Sequence, residues 1–232
     1  MATLHVLCFL LLLNYVVTGI EYSSDDTIVA DKVVSSLHLL KSVIDTANTT
    51  LLSMQSIQAN LLISTETVVQ RNERDINLQI SALKKNVSNL RDKRSQTILD
   101  KCIDEQQPLE ILVESISDEI KKCITVALAE NVNIISNCIV EAQTFMDLPT
   151  KVAADLQTCG SSKQCLLAIS VDAVNESMEI PSKVLVLTAR VQQLAYHALS
   201  NINGCAVNGL INVVKQGISL VEDIVACVKM SN

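Results

Sequence analysis

The chain reads as all-α: an elongated helical bundle in which long, coiled-coil-like N-terminal helices precede a disulfide-bonded C-terminal helical half. Three observations predict this. Residues 20–107 contain no glycine and no proline, so nothing in the backbone interrupts a long helix there. Apolar residues in that stretch recur at steps of three and four, the period of a helix face. Seven of the eight cysteines lie from Cys102 to Cys227, a density that points to helices joined by sulfur bridges.

The first element is a leader. Met1–Gly19 carries no Asp, Glu, Lys or Arg, and Leu4–Val17 is almost continuously apolar before the small-residue ending Val17-Thr18-Gly19. This is a signal-peptide pattern with cleavage after Gly19. The apolar run falls short of the roughly 20 residues that span a bilayer, and no later segment of that length lacks polar residues. Secretion, with no stable membrane insertion after leader removal, is therefore expected.

Two regions follow, 20–107 and 108–232. In the first, Val33, Leu37, Leu40, Ile44, Ala47, Leu51, Met54, Leu61 and Val68 form a heptad seam with polar Gln58 and Thr65 in two of its positions. A second series, Ile76, Ile80, Leu83, Val87 and Leu90, is displaced by one residue, with Arg71-Asn72-Glu73-Arg74-Asp75 at the junction. A bend or a hairpin is expected there. The hairpin is favoured over a continuous rod because it lays two apolar seams together.

The second region is punctuated by Pro108, Pro149 and Pro181, each placed to open a helix. Leu109, Leu112, Ile116, Ile120, Cys123 and Ala127 make the face of one helix, continuing to Phe145. Cys159-Gly160-Ser161-Ser162 reads as a turn, Cys165–Met178 as a helix, and Pro181–Asn203 as another that Gly204 ends or kinks. The last helix is expected to bury Val207, Leu210, Val214, Gly217, Val221, Ile224 and Val228, with Ile211, Ile218 and Val225 beside them. No acid occurs between Pro181 and Leu220, which places these two helices at the centre of the bundle.

Composition narrows the function. The hydrophobic fraction is 49%, the charged fraction 19% and the net charge −7, so the chain folds and would repel nucleic acid. Only Lys84–Lys101 holds a local basic excess, and the chain has no stacking platform, since Tyr22, Phe145 and Tyr196 are the aromatics beyond the leader. His38 and His197 are the histidines left, in no motif, and read as structural. The acid pairs Asp25–Asp26, Asp118–Glu119 and Glu222–Asp223 sit at adjacent helical positions that point apart, so they read as solvated faces. No catalytic, metal or cofactor residue is assigned, and the protein is not read as an enzyme.

The cysteines constrain the bundle most. A helix rises about 1.5 Å per residue and a disulfide holds Cα atoms within about 7 Å, so Cys123 cannot reach Cys138, nor Cys205 reach Cys227, along one helix. Cys159 and Cys165 flank the CGSSKQC turn and form the first-choice bridge. An antiparallel helix pair gives Cys102–Cys227 and Cys123–Cys205, with Cys138 the unpaired thiol; a competing scheme joins Cys138 to Cys159 across the Pro149 turn. Three sequons, at Asn48, Asn86 and Asn175, fit the same oxidising compartment.

Asp118-Glu-Ile-Lys-Lys-Cys123, the close pair Cys159 and Cys165, and a terminal helix bounded by Cys205 and Cys227 with Val221-Glu222-Asp223 inside resemble the insect secreted TsetseEP-type domain over about residues 115–230. The resemblance implies a secreted, disulfide-bonded, all-helical insect protein of gut lumen, body fluid or gland secretion, without a defined enzymatic activity. Several members of that family are linked to immune responses. The chain differs in its few aromatics, in Cys102 and Cys138, in its long helical N-terminal half and in lacking a Glu-Pro tail. The reading is a secreted glycoprotein that works by protein contact, the N-terminal seam serving self-association or a partner. The alternative is a carrier that opens around a lipid or another apolar small molecule.

Overall fold

The structure, a computed structural model, describes residues 24–91, 100–103 and 109–230. The leader and Pro108 lie outside these residues. Four α-helices follow in order: α1, Ser24–Arg91; α2, Leu109–Thr144; α3, Leu148–Thr158; and α4, Lys163–Met230, with a 3-10 turn at Phe145–Asp147 between α2 and α3. Residues 100–103 are also helical, and no strand occurs among the described residues. The fold is all-α, as expected.

The expected hairpin at 71–75 is not formed. α1 runs through it as one helix of 68 residues, and the one-residue displacement of the seam needs no break. The buried side chains pass from Thr65 through half-buried Val68 to Asn72 and Ile76. The steps are three, four and four, an eleven-residue spacing that matches a straight helix better than the strict heptad does. The seam itself is buried where the sequence places it: Val33, Leu37, Leu40, Ala47, Leu51, Met54 and Leu61 are all within the core. Its two polar positions are both satisfied, one across to α2 and one within α1. Gln58 Nε2 donates to Ser136 Oγ at 2.8 Å, and the Thr65 hydroxyl donates to the Leu61 carbonyl at 2.8 Å.

Pro181 and Gly204 are corrections as well. Both lie inside α4, which is continuous over 68 residues, so Pro181 does not start a helix and Gly204 does not end one. Proline removes one backbone donor and costs about 3 kcal/mol inside a helix. Burial of Ile180, Val184 and Leu187 on the adjoining turns opposes that cost. Pro149 does open a helix, at the first turn of α3, and the turn after α3 closes on Gly160, whose φ of 55° lies in the left-handed region that favours glycine.

The chain forms two compact units, each drawing on both halves of the sequence: Met1–Gln58 with Ile134–Gln193, and Ala59–Asn133 with Leu194–Asn232. In the first unit, Val29, Val33, Leu37, Leu40 and Ala47 of α1 pack with Val152, Ala153 and Leu156 of α3 and Leu166, Ala173, Ile180 and Val184 of α4. Buried Ser36, Ser170 and Ser177 each donate to the carbonyl one turn back, at 2.8, 2.8 and 2.6 Å, so none of these hydroxyls enters the core unpaired.

In the second unit, Ile76 of α1 meets Ile116, Ile120 and Ile124 of α2 and Ile202, Cys205 and Val213 of α4. A smaller cluster joins Cys102 to Ile224 and Val228. The buried face of α4 here is Ile202, Cys205, Gly209, Val213, Gly217, Ile224 and Val228. Val207, Ile211 and Ile218, expected to face inward, are exposed instead. The face is rotated because α4 presents its glycines to its neighbours: a Cβ at Gly209 would sit 2.1 Å from Ile120, and one at Gly217 would sit 2.2 Å from Leu83.

Gly204 and Gly209 should therefore respond oppositely to substitution. A Cβ at Gly204 meets nothing within 4 Å, so Gly204→Ala is expected to raise stability by about 0.5–1 kcal/mol through helix propensity. Gly209→Leu has to displace Ile120 and is expected to lower it by about 1–3 kcal/mol. Urea unfolding followed by circular dichroism checks both signs.

Candidate functional site

The cysteines are the most constrained side chains in the molecule. Cys102 bonds Cys227, Cys123 bonds Cys205 and Cys159 bonds Cys165, with Cα separations of 5.8, 5.9 and 5.5 Å. These are the antiparallel scheme and the turn bridge; Cys138 is the free cysteine among the described residues and is buried. Cys123 lies on α2 and Cys205 on α4, so this bond fastens two helices of the second unit. Cys102 follows residues that are not described and is tied to the last turns of α4. The Cys138–Cys159 alternative is not formed. Cys138 packs beside buried Ile135, Ile139 and Ala142, positions that share one face of α2, and a thiol so placed is not available to a second chain.

The three sequon asparagines, Asn48, Asn86 and Asn175, all have exposed side chains on helices. His38 and His197 are also exposed. They lie in separate units, and His197 makes an edge contact with the Tyr196 ring. Asp118, Glu119, Glu222 and Asp223 are solvent-facing, while the side chains of Asp25 and Asp26 lie outside the described set. Among the described residues no group of three or more His, Cys, Asp and Glu side chains is placed to hold a metal ion. One surface ion pair is tight: Lys183 Nζ lies 2.7 Å from Glu179 Oε2. Their hydrogen bond, reinforced by the charge attraction, lowers the Glu179 carboxyl and raises the Lys183 ammonium from their ordinary values. Both groups are solvated, so the pair is a surface feature that adds little to stability.

A groove in the first unit and an apolar strip in the second are among the surfaces left exposed. The first unit holds an open groove of about 760 Å³. Ile28, Leu39, Leu167, Val171 and Val174 give it apolar walls, and Asp31, Ser35 and Asn175 give it polar ones. The second unit exposes Tyr196, Val207, Ile211 and Ile218 along α4, at 49% to 72% of their full accessibility. Sequence reasoning missed this strip because it assigned Val207, Ile211 and Ile218 to the core. The signal was present in the acid-free run from Pro181 to Leu220, which marks a neutral surface as readily as an interior.

Among the described residues one stretch, Ile111–Thr158, is long and apolar enough to cross a membrane by length and composition, with mean hydropathy 1.5. That stretch includes Cys123, bonded to Cys205, and Ser136, which accepts the Gln58 hydrogen bond.

No family model, curated protein or solved structure matches this chain.

Burial of Cys138 has a direct chemical readout. The native, oxidised protein is expected to leave Cys138 unreacted with iodoacetamide and to take up one equivalent once denatured without reductant, as measured by intact mass. Rapid labelling of the folded protein would show that the thiol is accessible.

Proposed function

We propose that the protein is a secreted helical-bundle glycoprotein that acts by protein contact and has no chemistry of its own. The observation that carries this reading is the second unit's combination of a disulfide-tied aliphatic core with an uncovered apolar strip on α4. Apolar side chains grouped on a surface are the usual mark of a contact site. The contact surface is not the N-terminal seam considered from sequence, since that seam is buried within the chain itself.

Three bridges support an oxidising, extracellular setting. Exposure of all three sequon asparagines leaves room for glycans. The likeness of residues 115–230 to the TsetseEP-type domain supports an insect gut, body-fluid or gland secretion, and with it an immune-related role. Mass spectrometry of the non-reduced protein from its native fluid, after chemical cross-linking, tests these together. The expected result is a chain beginning at Ile20, glycans on the sequons, the three bridges, and cross-links to itself or to another protein. An uncleaved leader with reduced thiols would overturn the secreted reading, and a chain that gives no cross-links at any concentration would overturn the contact reading.

A second reading rests on the groove of the first unit. Its volume of about 760 Å³ lies within the range of small-molecule sites, and its apolar walls suit a lipid or a similar ligand. Organic extraction of the native protein is expected to release an apolar compound if the groove is a carrier site. Lipid-free protein that also fails to enhance the fluorescence of a hydrophobic dye would exclude it.

A further inference from the structure

We propose that the groove of the first unit is covered by an N-linked glycan on Asn175, so that its apolar walls are open only in chains that lack this glycan. The inference deepens the glycoprotein reading above and rests on it. It also decides which chains are able to carry an apolar ligand.

The attachment point is part of the groove. Asn175 opens the sequon Asn175-Glu176-Ser177, and its side chain is one of those that line the cavity. Leu167, Ser170, Val171, Val174 and Asn175 follow one another at steps of three and one, along one face of α4. Asn175 comes last, so a glycan attached there starts at one end of this wall and has about 12 Å of it to lie along. The other wall is the face of α1 from Ile28 to Leu39. Neither Asn48 nor Asn86 lines this groove.

The walls suit a sugar. Ile28, Leu39 and Val171 are 56%, 40% and 57% exposed, a stripe of aliphatic surface left to water. A sugar ring presents C–H groups on its faces and hydroxyls around its edge, and the N-acetyl group of the first sugar adds a methyl and an amide. One such guest can cover the aliphatic side chains and hydrogen-bond to Asp31 and Ser35 at the same time.

Charge and attachment separate this occupant from an ionised lipid. Asp31 and Lys32 are the only Asp, Glu, Lys or Arg side chains among the lining residues. Their charges cancel, so the groove favours a neutral, hydrogen-bonding guest over a fatty-acid anion. A covalently held guest is moreover present at a roughly millimolar effective concentration, which a free apolar compound has to overcome to displace it.

Ser177 fixes the time of attachment. A sequon needs its hydroxyl, and in the folded chain Ser177 is 1% exposed and donates to the Ala173 carbonyl at 2.6 Å. Ser88, the matching hydroxyl of the Asn86 sequon, is exposed. Asn175 is therefore modified before α4 folds or not at all, and each chain keeps the open or covered groove with which it folded.

Expression of the full chain in a eukaryotic secretory host, followed by glycopeptide mass spectrometry and hydroxyl-radical footprinting of the folded product, tests this. Asn175 is expected to carry a glycan. Ile28, Leu39 and Val171 are expected to be protected from oxidation in the wild type and to lose that protection in Asn175→Gln. Ser177→Ala removes the sequon but keeps Asn175, and should lose the protection equally, whereas N48Q/N86Q should retain it. The fluorescence of anilinonaphthalene sulfonate is expected to rise in N175Q, and Val171→Asp added to that variant should abolish the rise. Helix content from circular dichroism and the three bridges are the controls that each variant is folded.

A bare Asn175 beside glycans on Asn48 or Asn86 overturns this inference and leaves the glycoprotein reading standing; bare sequons throughout sink both. A glycan on Asn175 that leaves Ile28, Leu39 and Val171 as oxidisable as in N175Q overturns the inference alone. So does an apolar compound extracted from chains fully glycosylated at Asn175.

Discussion

Burial of one apolar stripe along α1 is the constraint on which the rest of the structure depends. α1 spans Ser24–Arg91 without a glycine or proline, and an isolated helix of that length gains nothing from its own apolar side chains until other helices cover them. The covering is almost wholly aliphatic: the buried apolar side chains in both units are Leu, Ile, Val, Ala and Cys with one Met, and no buried aromatic appears among the described residues. Small side chains each bury little area, so stability has to come from close approach over a long contact. The close approach is visible at Gly209 and Gly217, where Ile120 and Leu83 occupy the space that a side chain would fill.

The disulfides act on the same problem from the unfolded side. Cys102–Cys227 and Cys123–Cys205 close sequence separations of 125 and 82 residues, each removing about 4–5 kcal/mol of chain entropy from the denatured state in the loop-closure view. Cys159–Cys165 closes six residues and removes about half as much. A core built from weak aliphatic contacts is thereby held by two long-range ties and one local one.

Much of this was legible in the sequence, and the failures have specific causes. The stripe of α1 was readable because its period is a direct consequence of helix geometry, and the bridges were readable in part, since helix rise excludes Cys123–Cys138 and Cys205–Cys227 but does not choose between the antiparallel scheme and Cys138–Cys159. The hairpin at 71–75 was misread because a one-residue slip in a heptad resembles a break, when an eleven-residue spacing absorbs it. Pro181 was read as a boundary, and Gly204 as a boundary or a kink, since both weaken a helix locally; the burial on either side that outweighs them is a tertiary quantity. The orientation of α4 was missed by part of a turn because the sequence there is apolar on more than one face. Glycines at the contact, and not the larger residues, decide which face turns inward. The groove of the first unit left no sequence signal, being assembled from segments more than 100 residues apart.

The bridge across the turn after α3 also changes what a protease can accomplish. Lys163 is exposed and lies between Cys159 and Cys165, which are bonded. Hydrolysis of the backbone after Lys163 would leave both products attached through sulfur a few residues from the cut, with α3 and α4 still seated in the same core. In a fluid rich in digestive enzymes, the nick would be a chemical scar on an intact particle, and separation of the pieces would await a reductant.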